Sequence, residues 1–179
     1  MKTIQIRDRE FVLSIGEKEI QEAVKKVAEQ MNKDLVGKNP LFICVLNGAF
    51  MFTGDLMKHL DVPCEITFIK LSSYDGLYTT GTVKEVIGLN ESVVDRNVVI
   101  VEDIIDTGIT MERILDSLKA KGAKDIKVAT FLQKPDALQR DIPIDYVAMK
   151  IPNQFIVGYG LDYDGHGRNL RDIYTVVSE

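Results

Sequence analysis

Three carboxylates within five residues, Glu102, Asp103 and Asp106, carry the densest chemistry in this 179-residue chain. They lie in the run VVIVEDIIDTGITM from Val98 to Met111. Adjacent ionised carboxylates only accept hydrogen bonds, so Glu102 and Asp103 suit a hard divalent cation or the vicinal hydroxyls of a sugar. Asp106 leads through Thr107, Gly108, Ile109 and Thr110 into Met111, Ile114, Leu115 and Leu118, which are apolar at helical spacing. The turn therefore ends at a helix N-terminus, whose free N–H groups and partial positive charge suit an anion. The Thr hydroxyls add donors for a phosphate monoester, and Gly108 lets the backbone approach it closely. Phosphate on one side and diol or metal on the other describes a ribose phosphate. A plain helix cap would account for Asp106 alone. It does not account for Glu102 and Asp103, which repel each other at the mouth of a buried strand and gain nothing from packing. A nucleotide-hydrolase strand would need a G-x-x-x-x-G-K-[ST] loop, and the chain has none.

These residues require a strand before them and a helix after them. Val98 to Val101 are β-branched and read as a strand buried on both faces, with the carboxylates at its carboxyl end, where open α/β sheets bind ligands. Leu41 to Leu46, Ile66 to Leu71, Val128 to Leu132 and Tyr146 to Met149 read as further strands. Ser14 to Glu17 has the S-x-x-E form of a capping box, followed by Ile20, Ala23, Val24, Val27, Ala28 and Met31 at helical spacing, with Gly37 closing the helix or its trailing turn. Phe50 to Leu60 reads as another helix. Strands alternating with helices predict an α/β fold, a doubly wound and mainly parallel twisted sheet flanked by helices. The segment 72–90 is rich in Ser, Thr, Gly and Tyr and predicts a long mobile loop ending in a hairpin.

Length fits a single domain over 1–179 with a small appended lobe. Hydrophobic content of 45% and charged content of 27% are those of a globular protein, and no apolar stretch is long enough to span a bilayer. The N-terminus has no signal-peptide core, so a cytoplasmic location is expected and no membrane partner. A net charge of −5 with scattered Lys and Arg argues against nucleic-acid binding. Two cysteines without C-x-x-C spacing and two histidines exclude a zinc framework. The D-x-D-G start at Asp162 suggests a calcium loop, but Ile173 stands where the terminal acid is required.

The run EDIIDTGIT resembles the donor-binding motif of the type I phosphoribosyltransferases, and within them the branch acting on hypoxanthine and guanine. The resemblance extends from about residue 10 to the C-terminus: LNGAF at Leu46 to Phe50, SSY at Ser72 to Tyr74, Lys134, and FIVGYGLDY at Phe155 to Tyr163 followed by Arg168 fall in the family's order. It implies a hood formed by the N-terminal segment and roughly residues 150–179. It also implies Mg2+ as cofactor, a homodimer or homotetramer, and phosphoribosyl diphosphate (PRPP), hypoxanthine, guanine, IMP, GMP and pyrophosphate as ligands.

Residue by residue, the resemblance implies that Glu102 and Asp103 hold the ribose hydroxyls and the metal. Asp106 is the general base, and the backbone from Asp106 to Thr110 binds the 5-phosphate. Asn47 and Gly48, with Arg168, hold the pyrophosphate. Many members carry a basic residue in place of Asn47 and a second glycine in place of Ala49, so neutralisation here rests more on Mg2+. Ser73 and Tyr74 close over the site. Lys134, a donor only, favours a 6-oxopurine over the 6-amino group of adenine. Phe155 stacks on the base, Ile156 supplies backbone hydrogen bonds, and Asp162 lies at the base edge and helps hold a second metal. Xanthine remains a rival base at this stage. A non-catalytic PRPP sensor is the reading from another class. It would keep the phosphate turn and could lose the base pocket, whereas Lys134, Phe155 and Asp162 are all present.

Overall fold

The computed structural model describes residues 2–72 and 84–177. Strands β1 (Thr3–Ile6) and β2 (Arg9–Ile15) precede helix α1 (Glu17–Asp34), then β3 (Leu41–Leu46), α2 (Phe50–Lys58), β4 (Glu65–Ser72) and β5 (Lys84–Ile87). After these come β6 (Asn97–Ile105), α3 (Ile109–Ala120), β7 (Asp125–Gln133), a 3-10 turn at Pro135–Ala137, β8 (Tyr146–Lys150), β9 (Ile156–Val157) and β10 (Ile173–Val176).

The main sheet has the order β5-β4-β3-β6-β7-β8. All neighbouring pairs are parallel except β5 on β4. Its apolar strands are buried on both faces, which explains their continuous rather than alternating hydrophobicity. Phe42, Val99, Val101, Ala129 and Phe131 pack with α1 and α2 on one face. Leu41, Ile43, Val45, Val98, Ile100 and Val128 pack with α3 on the other. From β3 the chain winds outward to β4, and from β6 it winds the opposite way to β7 and β8. The strand order therefore reverses between β3 and β6, and a crevice opens at their carboxyl ends.

A second, antiparallel sheet of order β1-β2-β10-β9 joins the start of the chain to its end. Phe11, Val157 and Tyr174 form its small core.

Two expectations are corrected. The S-x-x-E box does not cap α1: Ser14 lies in β2 and donates to the Ile173 carbonyl at 3.1 Å, because β10 pairs there. The cap comes from the other end of the chain, where Asp172 accepts the Glu17 N–H at 2.8 Å. The apolar stripe Ile20, Val24, Val27, Ala28 and Met31 is fully buried. At about 1.5–3 kcal/mol for each large side chain, burial holds α1 more than any cap, which contributes about 1 kcal/mol. Next, β6 does not end at Val101. Its pairing with β3 stops at Cys44 and Val101, but its ladder with β7 continues to Ile105 and Gln133. Glu102 and Asp103 thus stand on a strand held from one side only. The hairpin expected at the end of the 72–90 segment is present as the edge strand β5, Lys84–Ile87, antiparallel to β4. Ser73 and Tyr74 lie outside the described residues.

Candidate active site

The crevice between β3 and β6 is built first from backbone. After β3 the chain turns through Asn47, Gly48 and Ala49 into α2, with a cis peptide between Leu46 and Asn47. Asn47 is exposed, while Gly48 and Ala49 are buried. A side chain at Gly48 would collide with the Asp103 carboxylate, so the glycine is what lets β6 present that group against the turn. Ala49 is fully buried, so its methyl is accommodated.

Glu102 and Asp103 are half-buried neighbours in the strand. Burial, and then the adjacent Asp103 charge, holds the Glu102 carboxyl well above the usual carboxylate range. Burial pushes Asp103 up as well, against a side-chain hydrogen bond with Glu102, the Ile104 N–H at 2.7 Å and the nearby Arg168 charge. Two carboxylates that resist ionising together are stabilised by an added positive charge or by hydroxyl donors. Among the described residues no three His, Cys, Asp or Glu side chains gather into a cage for a metal ion. Asp162 is not brought into a set with this pair. Its Oδ1 is ion-paired with Arg168 at 2.7 Å, and its Oδ2 accepts the Gly165 N–H at 2.7 Å. Arg168 also donates to the Gly160 carbonyl at 2.8 Å.

Past β6, Asp106, Thr107 and Gly108 make the turn into α3, and Thr110 sits in the helix's first turn. Thr107 Oγ1 accepts the Ile109 N–H at 3.4 Å. Gly108 has a φ of +82° and caps the helix. A Cβ there would press on Leu138 at 3.0 Å and Ile142 at 3.2 Å, so glycine is needed for the left-handed turn and for the segment packed across it. Glu102, Asp106, Thr107, Gly108, Thr110 and Met111 line a cleft of about 100 Å³. Its floor is the start of α3, where helix N–H groups lack intrahelical acceptors.

Lys134 directly follows β7 and is buried, against the habit of lysine. Its Nζ lies 3.7 Å from Asp106 Oδ2 and donates to Asn153 Oδ1 at 3.4 Å. The Asp106 side chain is half exposed and lines that cleft. Phe155 remains 43% exposed while its ring meets Phe11 at 6.2 Å and Tyr163 edge-on at 5.8 Å, with the Arg9 guanidinium 5.9 Å away. Ile156 is buried in β9, its backbone in register with Thr175. Asp164, left without a role by sequence, pairs with Arg7 at 3.2 Å, and the His166 N–H closes a tight turn onto the Tyr163 carbonyl.

Sequence reasoning missed Asn153, the Arg9 and Phe11 buttress of Phe155, and the tight packing around Gly160, whose Cβ would collide with the Gly48 carbonyl. Only the last left a trace, the closely spaced Gly158 and Gly160.

A doubly wound sheet with an anion turn after paired carboxylates defines a class of sugar-phosphate transferases, and the chain belongs to the phosphoribosyltransferase family: the phosphoribosyl transferase domain model matches residues 15–164. The chain is similar to the hypoxanthine-guanine phosphoribosyltransferase of Streptococcus thermophilus, with 43% identity over 156 residues and 87% of each chain covered. A hypoxanthine-guanine phosphoribosyltransferase from Bacillus anthracis, solved with a HEPES molecule in its active site, matches with a TM-score of 0.87 and 38% identity, covering 93% of this chain and 97% of that one. The hypoxanthine phosphoribosyl transferase of Trypanosoma cruzi matches with a TM-score of 0.88 and 34% identity, covering 97% and 95%. Among the described residues no helix is long and apolar enough to cross a membrane.

Proposed function

We propose that this phosphoribosyltransferase acts in purine salvage in the cytoplasm, joining PRPP to N9 of hypoxanthine or guanine and giving IMP or GMP with pyrophosphate. The observation that carries this reading is the buried Lys134 held 3.7 Å from Asp106 at the mouth of the phosphate cleft. A buried ammonium offers only donors, so it selects a 6-oxo acceptor and leaves a 6-amino group unpaired. Asp106, beside it, takes the N7 proton as N9 attacks the anomeric carbon. The backbone from Asp106 to Thr110, including Ile109, holds the 5-phosphate.

Glu102 and Asp103 bind the ribose hydroxyls. Their raised proton affinity and oxygen-only donor set fit Mg2+, for which they are the proposed protein ligands. When bound, the ion supplies charge neutralisation for the departing pyrophosphate. Asp162, ion-paired with Arg168 at 2.7 Å, is the further proposed protein ligand for a metal. Asn47, Gly48 and Arg168 receive the pyrophosphate, Phe155 stacks on the purine, and the Ile156 backbone meets its edge. Ser73 and Tyr74 exclude water. The small antiparallel sheet serves as the hood of a single domain, and no nucleic acid or membrane takes part. A homodimer or homotetramer is supported by Phe50, Ile66 and Phe68, which are 41%, 39% and 43% exposed.

The test mixes protein, Mg2+ and PRPP with hypoxanthine, guanine or xanthine and measures nucleotide and pyrophosphate together. Equimolar IMP or GMP and pyrophosphate is the expected result. No nucleotide from any 6-oxopurine would refute the reading.

A further inference from the structure

Behind the crevice, Asp55 of α2 collects three donors. Gln21 Nε2 of α1 reaches its Oδ2 at 2.7 Å, the Tyr159 hydroxyl reaches the same oxygen at 2.8 Å, and Lys58 Nζ reaches Oδ1 at 2.9 Å. Burial works to raise this carboxyl, but the hydrogen bonds outweigh it and hold it below the ordinary range, so Tyr159 donates to an anion.

Tyr159 is itself an unusual residue. It is 2% exposed and has a φ of +47°, a region that disfavours a bulky side chain. Gly158 and Gly160 on either side are left-handed too, at +109° and +99°. Such a conformation persists only where its surroundings over-determine it. Here the ring packs on Phe131 at 4.8 Å and the hydroxyl is tied to Asp55.

What this anchor holds in place is the pyrophosphate side of the crevice. Gly160, the next residue, lies against the Gly48 carbonyl so closely that no side chain fits. Its N–H donates to the Arg168 carbonyl at 2.9 Å, and its own carbonyl receives the Arg168 guanidinium. One residue therefore touches both the Asn47-Gly48 turn and Arg168. α2, which carries Asp55, begins directly after that turn.

We infer that the Asp55–Tyr159 hydrogen bond is a positioning pair for pyrophosphate recognition, setting the distance between the Gly48 turn and Arg168 through Gly160. The inference rests on the proposed reaction, in which those two groups receive the pyrophosphate. Neither Asp55 nor Tyr159 touches a reacting atom. Their effect is on how well the turn and the guanidinium are prearranged.

The experiment is steady-state kinetics in both directions. Tyr159→Phe removes only the hydroxyl, and it raises KM for PRPP and for pyrophosphate in the reverse reaction by about tenfold, the worth of one hydrogen bond to a charged group. KM for hypoxanthine and kcat stay within about twofold, a split that a general loss of packing would not produce. Asp55→Asn keeps an acceptor for the hydroxyl and restores KM to within about threefold of the parent. Asp55→Ala behaves as Tyr159→Phe, and the double variant is no worse than either single one. Unchanged pyrophosphate KM in a folded Tyr159→Phe, or an equal rise in hypoxanthine KM, would overturn the inference. Arg168→Gln separates this from the reading beneath it. If that variant leaves pyrophosphate KM unchanged, the placement of pyrophosphate is wrong and the inference falls with it. If it raises KM while Tyr159→Phe does not, only the positioning role fails.

Discussion

Asp106 and Lys134 lie twenty-eight positions apart in sequence, yet their charged groups stand 3.7 Å apart in the fold. Their proximity follows from parallel pairing, which sets Ile105 beside Gln133 and so delivers the next residues of both strands to the same end of the sheet. The proposed division of labour makes a sharp prediction for Asp106→Asn. The amide keeps the size and one acceptor oxygen but is a far weaker base, so turnover falls by about 10²–10⁴-fold. Affinity for PRPP, measured by calorimetry, changes little, and undiminished turnover would remove Asp106 from the role. Residues contiguous in the chain, such as Glu102, Asp103 and the Asp106 to Thr110 turn, were legible because their chemistry is local. For Lys134 the neighbouring sequence carries no sign of burial. Its burial and its partners Asp106 and Asn153 come from three separate segments, and no local spacing reports that.

At the scale of elements, the buried strands were legible because a strand covered on both faces reads as an unbroken apolar run. Leu41–Leu46 appears with the bounds its composition implies. The end of β6 was not legible, since Glu102 and Asp103 break the apolar run while hydrogen bonds to β7 carry the strand onward. The capping of α1 was misread for a related reason: an S-x-x-E pattern is local, whereas the real acceptor, Asp172, arrives from the chain's end. Removing it with Asp172→Ala should destabilise the protein by about 1 kcal/mol at neutral pH, measured by urea denaturation. The Glu17 N–H bond, aided by Lys2 and opposed by burial, holds the Asp172 carboxyl below its ordinary value. A lowered carboxylate contributes stability above its unfolded-state pKa and loses it as pH falls through the folded value. The gap between parent and variant should therefore be widest at neutral pH and shrink in acid. A gap that grows in acid would contradict the capping role.

The whole molecule joins a doubly wound sheet, whose strand order reverses between β3 and β6, to a small antiparallel sheet made from both chain ends. The reversal places the Gly48 turn against the Asp103 carboxylate, and the second sheet backs Phe155 through Phe11. Ile66 and Phe68 pair with Phe42 and Cys44 and share their face of the main sheet, at its α2 side. Such exposed apolar side chains fit burial against a second copy. Sedimentation should show a dimer or tetramer, and Phe68→Asp should shift it toward monomer. A monomeric parent protein would contradict the oligomer. The most direct test of the account is the ratio of kcat/KM for hypoxanthine to that for adenine, with PRPP and Mg2+ saturating. A site built around the buried Lys134 donor predicts a ratio above about a hundredfold, because adenine leaves that donor unpaired. Equal rates, or a preference for adenine, would contradict it.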